Sequence, residues 1–147
     1  MNRLLLATLY LSFIFSAYAE DTPESNKKLV IDFYTEVLFQ ANYSAVDKYI
    51  GDEYIQHNPT AKDGKAAMVK MLSALTPAEG KVEPFGEIIR AIAEDDLVML
   101  HIKSYHWPDK NGAAIVDIFR VKNGKIIEHW DVFQAVPERS ANNNTMF

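Results

Sequence analysis

The chain has 147 residues, no cysteine, and 15 Lys and Arg against 20 Asp and Glu, a formal net charge of −5. No cluster of basic residues is present to neutralise phosphates, which argues against a nucleic-acid partner. Without cysteine there are no disulfides, no thiolate nucleophile and no sulfur-ligated metal, so core packing alone must hold the fold.

Met1-Asn2-Arg3 gives a short basic start, Leu4 to Phe15 an almost unbroken apolar run, and Ala17-Tyr18-Ala19 the small-x-small pattern that precedes cleavage. Residues 1–19 are therefore predicted to be a cleaved signal peptide, with a product that is periplasmic or secreted. The apolar run is too short to span a bilayer, so no membrane anchor is expected after cleavage. Loss of Arg3 leaves 14 basic against 20 acidic residues, a net charge of −6. Residues 20–147 suit one domain, burying about two-thirds of its unfolded surface.

Thr22-Pro23-Glu24 has the marks of a helix start: a capping hydroxyl, proline at the first helical position and an acid near the positive end of the dipole. Leu29, Val30, Phe33, Tyr34, Val37, Leu38 and Ala41 then recur at spacings of three and four, which predicts an amphipathic helix of about five turns ending near Asn42. Ser44-Ala45-Val46-Asp47 reads as a capping box for a short helix through Ile50, with Gly51 placed to end it. A brief extended piece follows at Tyr54 to Gln56. His57-Asn58-Pro59 must leave helical space, and Asp63-Gly64 precedes a third helix carrying Ala67, Met68, Met71, Leu72 and Leu75.

From Val82 the period changes to two. Segments near 82–94, 97–107, 113–121 and 125–135 are strand-like, separated by Asp95-Asp96, Pro108 to Gly112, and Asn123-Gly124. Short connections imply an antiparallel meander, and helices followed by strands imply an α+β domain. Residues 136–147 read as a loose tail.

The Asn123-Gly124 turn allows two registers. A two-residue loop sets Asp117 opposite Trp130; a three-residue loop, Lys122-Asn123-Gly124, with Gly124 in a bulge sets Asp117 opposite His129 and is the preferred reading. It puts Ile115, Asp117, Phe119, Ile127, His129, Asp131 and Phe133 on one face. Carboxylates rarely lie on an apolar face unless paired, so this face needs an Asp–His contact or a polar cavity.

Tyr54-Ile55-Gln56-His57-Asn58-Pro59 and Gly124 to Asp131, with the order of elements, resemble the SnoaL-like branch of the nuclear transport factor two superfamily over about residues 27–134. The resemblance implies a cone: a curved antiparallel sheet on three N-terminal helices, open at one end as a small-molecule pocket. It also implies a homodimer. Members of that superfamily include polyketide cyclases, ketosteroid isomerases, epoxide hydrolases and dehydratases. Asp131 is the nearest match to the acid/base aspartate of the cyclases. The epoxide hydrolases need an Arg-x-Asp pair on an earlier strand, where this chain has Ile102-Lys103-Ser104, so that chemistry is disfavoured.

Two readings of the polar face stay open. Asp117, His129 and Asp131 are candidate catalytic groups for cofactor-free proton transfer next to a carbonyl, because histidine exchanges protons near neutrality and a carboxylate can fix its tautomer. Alternatively, Asp117 and His129 are a satisfied cross-strand pair. His57 and Tyr54 are candidates to position a substrate, against His57 and Asn58 acting as turn caps. Tyr34, Phe119 and Phe133 are candidate lining for an apolar ligand, against simple core packing. Four scattered histidines lack the short paired spacings of zinc sites, so no metal and no cofactor are expected. A binding protein without turnover, or a dimeric interaction module, fits the same residues.

Overall fold

The computed structural model describes residues 21–74 and 86–147; the predicted signal peptide, Leu75 and the first part, 82–85, of the predicted strand 82–94 lie outside the described residues. Helix α1 covers Pro23–Phe33 and continues, more loosely wound, as a π-type segment over Tyr34–Phe39. Its start is as expected. Thr22 Oγ1 accepts from the Ser25 backbone N–H (3.2 Å) and Ser25 Oγ accepts from Thr22 N–H (2.9 Å), with Pro23 in the first turn. The buried stripe Val30, Phe33, Tyr34, Val37 faces the sheet. Each such large apolar side chain contributes roughly 1.5–3 kcal/mol on burial.

Helix α2 is short, Val46–Tyr49, and two details differ from expectation. Ser44 makes no capping box; its hydroxyl turns to Asn42 Oδ1 (2.7 Å). Gly51 does not end the helix but lies within strand β1, Ile50–Gln56, which is longer than the sequence suggested. Helix α3 spans Lys65–Ala74 and buries Met68 and Leu72. The remaining strands are β2 (Gly86–Glu94), β3 (Leu97–Ser104), β4 (Ala113–Lys122) and β5 (Lys125–Ala135), close to their predicted places.

The sheet is curved and unclosed, in the order β1-β5-β4-β3-β2. Four strands form the expected antiparallel meander, but β1 pairs with β5 in parallel, so the sheet is mixed. This non-local pairing sets Gln56 beside His129, and the His57 N–H donates to the His129 carbonyl (2.9 Å).

The β4–β5 register is a correction. The turn is the two-residue Asn123-Gly124, both at positive φ (53° and 67°), with Lys122 opposite Lys125. A bulge follows at once: Val121 pairs with Ile126, whereas Arg120 pairs with Glu128. The extra residue shifts the ladder, so Asp117 faces Asp131 and Phe119 faces His129, neither of the two registers considered. Ile126, not Ile127, is the residue buried on the inner face. Parity is nevertheless preserved, because the preferred loop and the observed bulge differ by an even number of positions. Asp117, Phe119, His129 and Asp131 therefore share the inner face, as expected. Asp21 secures the turn, its carboxylate accepting from the N–H groups of Asn123 (2.5 Å) and Gly124 (2.9 Å).

The core lies between α1 with its π-type extension and the inner face of the sheet. Val98, Leu100 and Ile102 of β3, and Ala113, Ile115, Phe119 and Val121 of β4, alternate into it. Residues after Ala135 form no helix or strand, though the ring of Phe147 stacks near His101 (6.1 Å).

Candidate active site

Between the sheet's inner face, the π-type segment and α3 lies an open cavity of about 560 Å³. Its walls are mostly apolar, including Phe33, Leu38, Met68, Leu72, Ile115 and Phe119. Trp107 and Phe133 meet edge to face at the cavity (4.4 Å) and are both partly exposed. One polar end is built from Tyr34, Tyr54, Gln56, Asn58, Asp117, His129 and Asp131.

Asp117 is 3% exposed and both its oxygens are engaged. Oδ2 accepts the Tyr34 hydroxyl, and Oδ1 faces His129 Nε2 at 3.1 Å. The ring of Phe119 stacks on the imidazole at 4.8 Å and holds its plane. Asp131, one step along the same face, has a different environment: among the described residues a single donor, Asn58 Nδ2, reaches its two oxygens at 2.7 and 2.8 Å. Asn58 is oriented by Thr60, whose N–H (2.8 Å) and hydroxyl (2.6 Å) donate to Asn58 Oδ1, so the amide must turn its NH2 toward Asp131. A carboxylate has about four acceptor positions. Asp131 thus keeps acceptor capacity on the cavity side.

The two tyrosines remain protonated donors. Burial, and then the charge of Asp117, hold the Tyr34 phenol well above its ordinary value. Burial and the nearby Asp117 and Asp131 charges also push the Tyr54 phenol up. The Tyr54 oxygen accepts from Gln56 Nε2 (3.2 Å), leaving its own proton available.

The fold brings together seven of the eight residues that the sequence put forward: Asp117, His129, Asp131, Tyr34, Tyr54, Phe119 and Phe133 all line the cavity. His57 is not with them. Its ring stacks flat on Trp130 (4.5 Å, 5°) and its Nε2 meets Glu128 Oε1 (2.9 Å) on the other side of the sheet. Glu128 also accepts from Arg120 Nε (2.7 Å), and Arg120 pairs with Asp96 (2.6 Å). Burial alone would raise the Glu128 carboxyl, but the bonds from His57 and Arg120 outweigh it and hold the carboxyl below its usual range.

Gln56 and Asn58 were not put forward as site residues. The signal was present: Tyr54, Gln56 and Asn58 alternate, and an extended strand places alternate residues on one face. Asp117, His129 and Asp131 also offer ligand atoms within 4.8 Å of one another, a cluster of a size to hold a metal ion. In this arrangement, however, its nitrogen and one carboxylate oxygen are turned on each other.

Helices seated on one face of a curved, open sheet, with a cavity lined from both, define the nuclear transport factor two-like fold. Many solved structures share it, and three illustrate the likeness. They are an NTF2-like protein of unknown function from Burkholderia xenovorans (TM-score 0.64, 16% identity, covering 80% of this chain and 89% of that one), an LEH-like epoxide hydrolase from M. tuberculosis (0.58, 18%, 76% and 84%), and TsrD from Streptomyces laurentii (0.57, 18%, 78% and 91%). Identities this low speak for the fold alone. No curated protein is detectably similar in sequence. Residues 30–129 match the SnoaL-like domain, and the chain belongs to the SnoaL-like family.

Proposed function

We propose that this protein is an exported SnoaL-like enzyme that moves a proton next to the carbonyl of a small, largely apolar compound, by cofactor-free isomerase- or cyclase-type chemistry. The observation that carries this reading is the open carboxylate of Asp131, held among the described residues by Asn58 alone at the polar end of an apolar cavity. A base needs an acceptor position aimed at its substrate, and Asp117, occupied by Tyr34 and His129, has none to spare.

In the proposed reaction the carbon–hydrogen bond α to the carbonyl breaks, its proton goes to an Asp131 oxygen, and its electron pair delocalises onto the carbonyl oxygen. The Tyr54 hydroxyl is the neutral donor suited to that developing negative charge. Return of the proton at another carbon completes an isomerisation; attack of the enolate carbon on a second carbonyl forms the ring bond and an alkoxide, which takes the proton back from Asp131 to complete a cyclisation. Epoxide hydrolysis fits less well, because Ile102 and Ser104 are buried on β3 where an Arg-x-Asp pair would be needed.

The test does not depend on knowing the natural substrate. Hydrogen–deuterium exchange α to the carbonyl of a panel of cyclic ketones, followed by NMR in D2O, should be accelerated by the protein. Asp131→Asn should slow it about 10²-fold or more while ligand binding persists. Equal exchange by the variant would remove Asp131 as the base. Binding without any exchange would favour the second reading, a carrier of a small apolar ligand, which the largely apolar lining and fully satisfied Asp117 also suit. We further propose that the outer face around the exposed Val132 pairs two copies as a homodimer; sedimentation as a monomer at micromolar concentration would remove that proposal.

A further inference from the structure

We propose that Gln56 is a positioning residue that fixes the tautomer of His129, so that a single mobile proton lies between His129 Nε2 and Asp117 Oδ1. Gln56 ends β1, and the parallel pairing with β5 sets it opposite His129. Its side-chain oxygen accepts the Asn58 backbone N–H (2.9 Å), and its Nε2 donates to the Tyr54 oxygen (3.2 Å). Turning the amide over would set an NH2 group against the Asn58 N–H, donor against donor, so the oxygen must point this way. His129 Nδ1 lies 3.0 Å from that same oxygen. An acceptor on the glutamine side requires the proton on the histidine side, and Nδ1 therefore carries it.

The consequence falls on the other nitrogen. A neutral imidazole has one N–H. With that proton on Nδ1, the Nε2 lone pair faces a carboxylate oxygen at 3.1 Å, two acceptors that stay together only with a proton between them. Whether that proton sits on nitrogen or oxygen, the His129–Asp117 pair is neutral as a whole. The second oxygen of Asp117 takes the Tyr34 hydroxyl, whose proton is held by burial. The groups facing the imidazole are thus Asp117 on β4, Asp131 on its own strand, Gln56 and Tyr54 on β1, Tyr34 from the helical layer and the ring of Phe119. Among these, Asp131 is left with the net charge. An apolar residue at position 56 would free the imidazole to adopt the tautomer with hydrogen on Nε2, donating to an ionised Asp117. Two carboxylate charges would then stand side by side.

This inference rests on the proton-transfer reading for its significance, but its test needs no substrate. In protein labelled with 15N-histidine, two-bond 1H–15N correlations report which ring nitrogen of His129 bears hydrogen. The wild-type spectrum should show Nδ1 protonated, Gln56→Leu should show it bare, and Gln56→Glu, which keeps an acceptor oxygen there, should restore it. A bare Nδ1 in the wild type, or in Gln56→Glu, would overturn the assignment, as would Nδ1 remaining protonated in folded Gln56→Leu. Should the leucine variant not fold, the wild-type and glutamate spectra still decide the matter. In the ketone exchange assay the leucine variant should lose rate and the glutamate variant regain part of it. Absence of exchange in all three proteins would count against the proposed reaction and leave the tautomer result standing.

Discussion

Removing the hydroxyl of Tyr34 isolates the interaction that seals Asp117. Tyr34→Phe keeps the ring, and with it the edge contacts to Phe33 (6.2 Å), Phe39 (5.5 Å) and Phe119 (6.1 Å). It deletes the donor to a carboxylate oxygen of a residue only 3% exposed. Its loss leaves a buried carboxyl oxygen without a partner, which costs about 1–3 kcal/mol whether the group is ionised or shares a proton with His129. For a domain of this size each kcal/mol shifts the melting temperature by roughly 3–5 °C. The variant should therefore be about 2 kcal/mol less stable in urea titrations at neutral pH and melt roughly 5–15 °C lower. Tyr54→Phe, which loses only a neutral 3.2 Å contact with Gln56, should cost about 1 kcal/mol or less. A double-mutant cycle supplies the control. In an Asp117→Leu background the further change Tyr34→Phe should have an effect below about 0.5 kcal/mol, because no acceptor remains. If Tyr34→Phe lies within about 0.5 kcal/mol of wild type, or costs the same in both backgrounds, the hydroxyl does not hold Asp117 and the division of roles between the two acids fails.

Two other expectations come from the sheet. Glu128 is held below its usual range in the folded protein, so its bonds to His57 and Arg120 add stability above the unfolded carboxylate value of about 4.3 and lose it as pH falls through the lower folded value. Glu128→Gln should accordingly be less stable than wild type at pH 7, with the gap closing below about pH 4; a gap independent of pH would contradict the pairing. Gly112 and Gly124 both have positive φ (74° and 67°), but a Cβ on Gly112 would lie 1.9 Å from the Ser104 carbonyl oxygen and one on Gly124 meets nothing within 4 Å. Gly124→Ala should cost about 1 kcal/mol of backbone strain, while Gly112→Ala should cost clearly more and perturb the nearby Trp107. Equal melting temperatures for the two variants would refute this.

Local periodicity made the inner face legible in the sequence. Alternation put Asp117 with Phe119 on one face of β4 and His129 with Asp131 on one face of β5; that the two faces coincide depended on the register, and the bulge beside the two-residue turn supplies it. The pairing across the strands could not be read, because a bulge one residue past a good two-residue turn leaves no mark in composition. Nor did the strand carrying Tyr54 and Gln56 announce its partner. A parallel pairing between β1 and β5 spans more than seventy residues of chain, and that pairing brings the strand end Gln56 to His129 and the turn residue Asn58, just beyond it, to Asp131. His57 was misplaced for the same reason: just past the end of β1 its N–H still bonds the His129 carbonyl, and its ring turns to Trp130 and Glu128 rather than to the cavity.

The corrected register also explains why the site needs so many neutral donors. Asp117 directly opposite Asp131 is a cross-strand pair of like charges, an arrangement that destabilises a sheet unless something separates their roles. Here one acid is closed off and the other left open. Asp117 has its oxygens taken by a phenol and by an imidazole whose other nitrogen is held by Gln56. On the tautomer proposed above, the proton shared with that imidazole cancels the charge of Asp117, and Asp131 faces the cavity with Asn58 as its donor. Had the hairpin kept the two-residue register throughout, Asp117 would have faced Trp130 and the acids would have lain on opposite sides of the sheet. The bulged residue therefore does more than bend the strand. It sets two carboxylates of unequal environment side by side, the condition under which one of a pair can act as base while its neighbour stays neutralised.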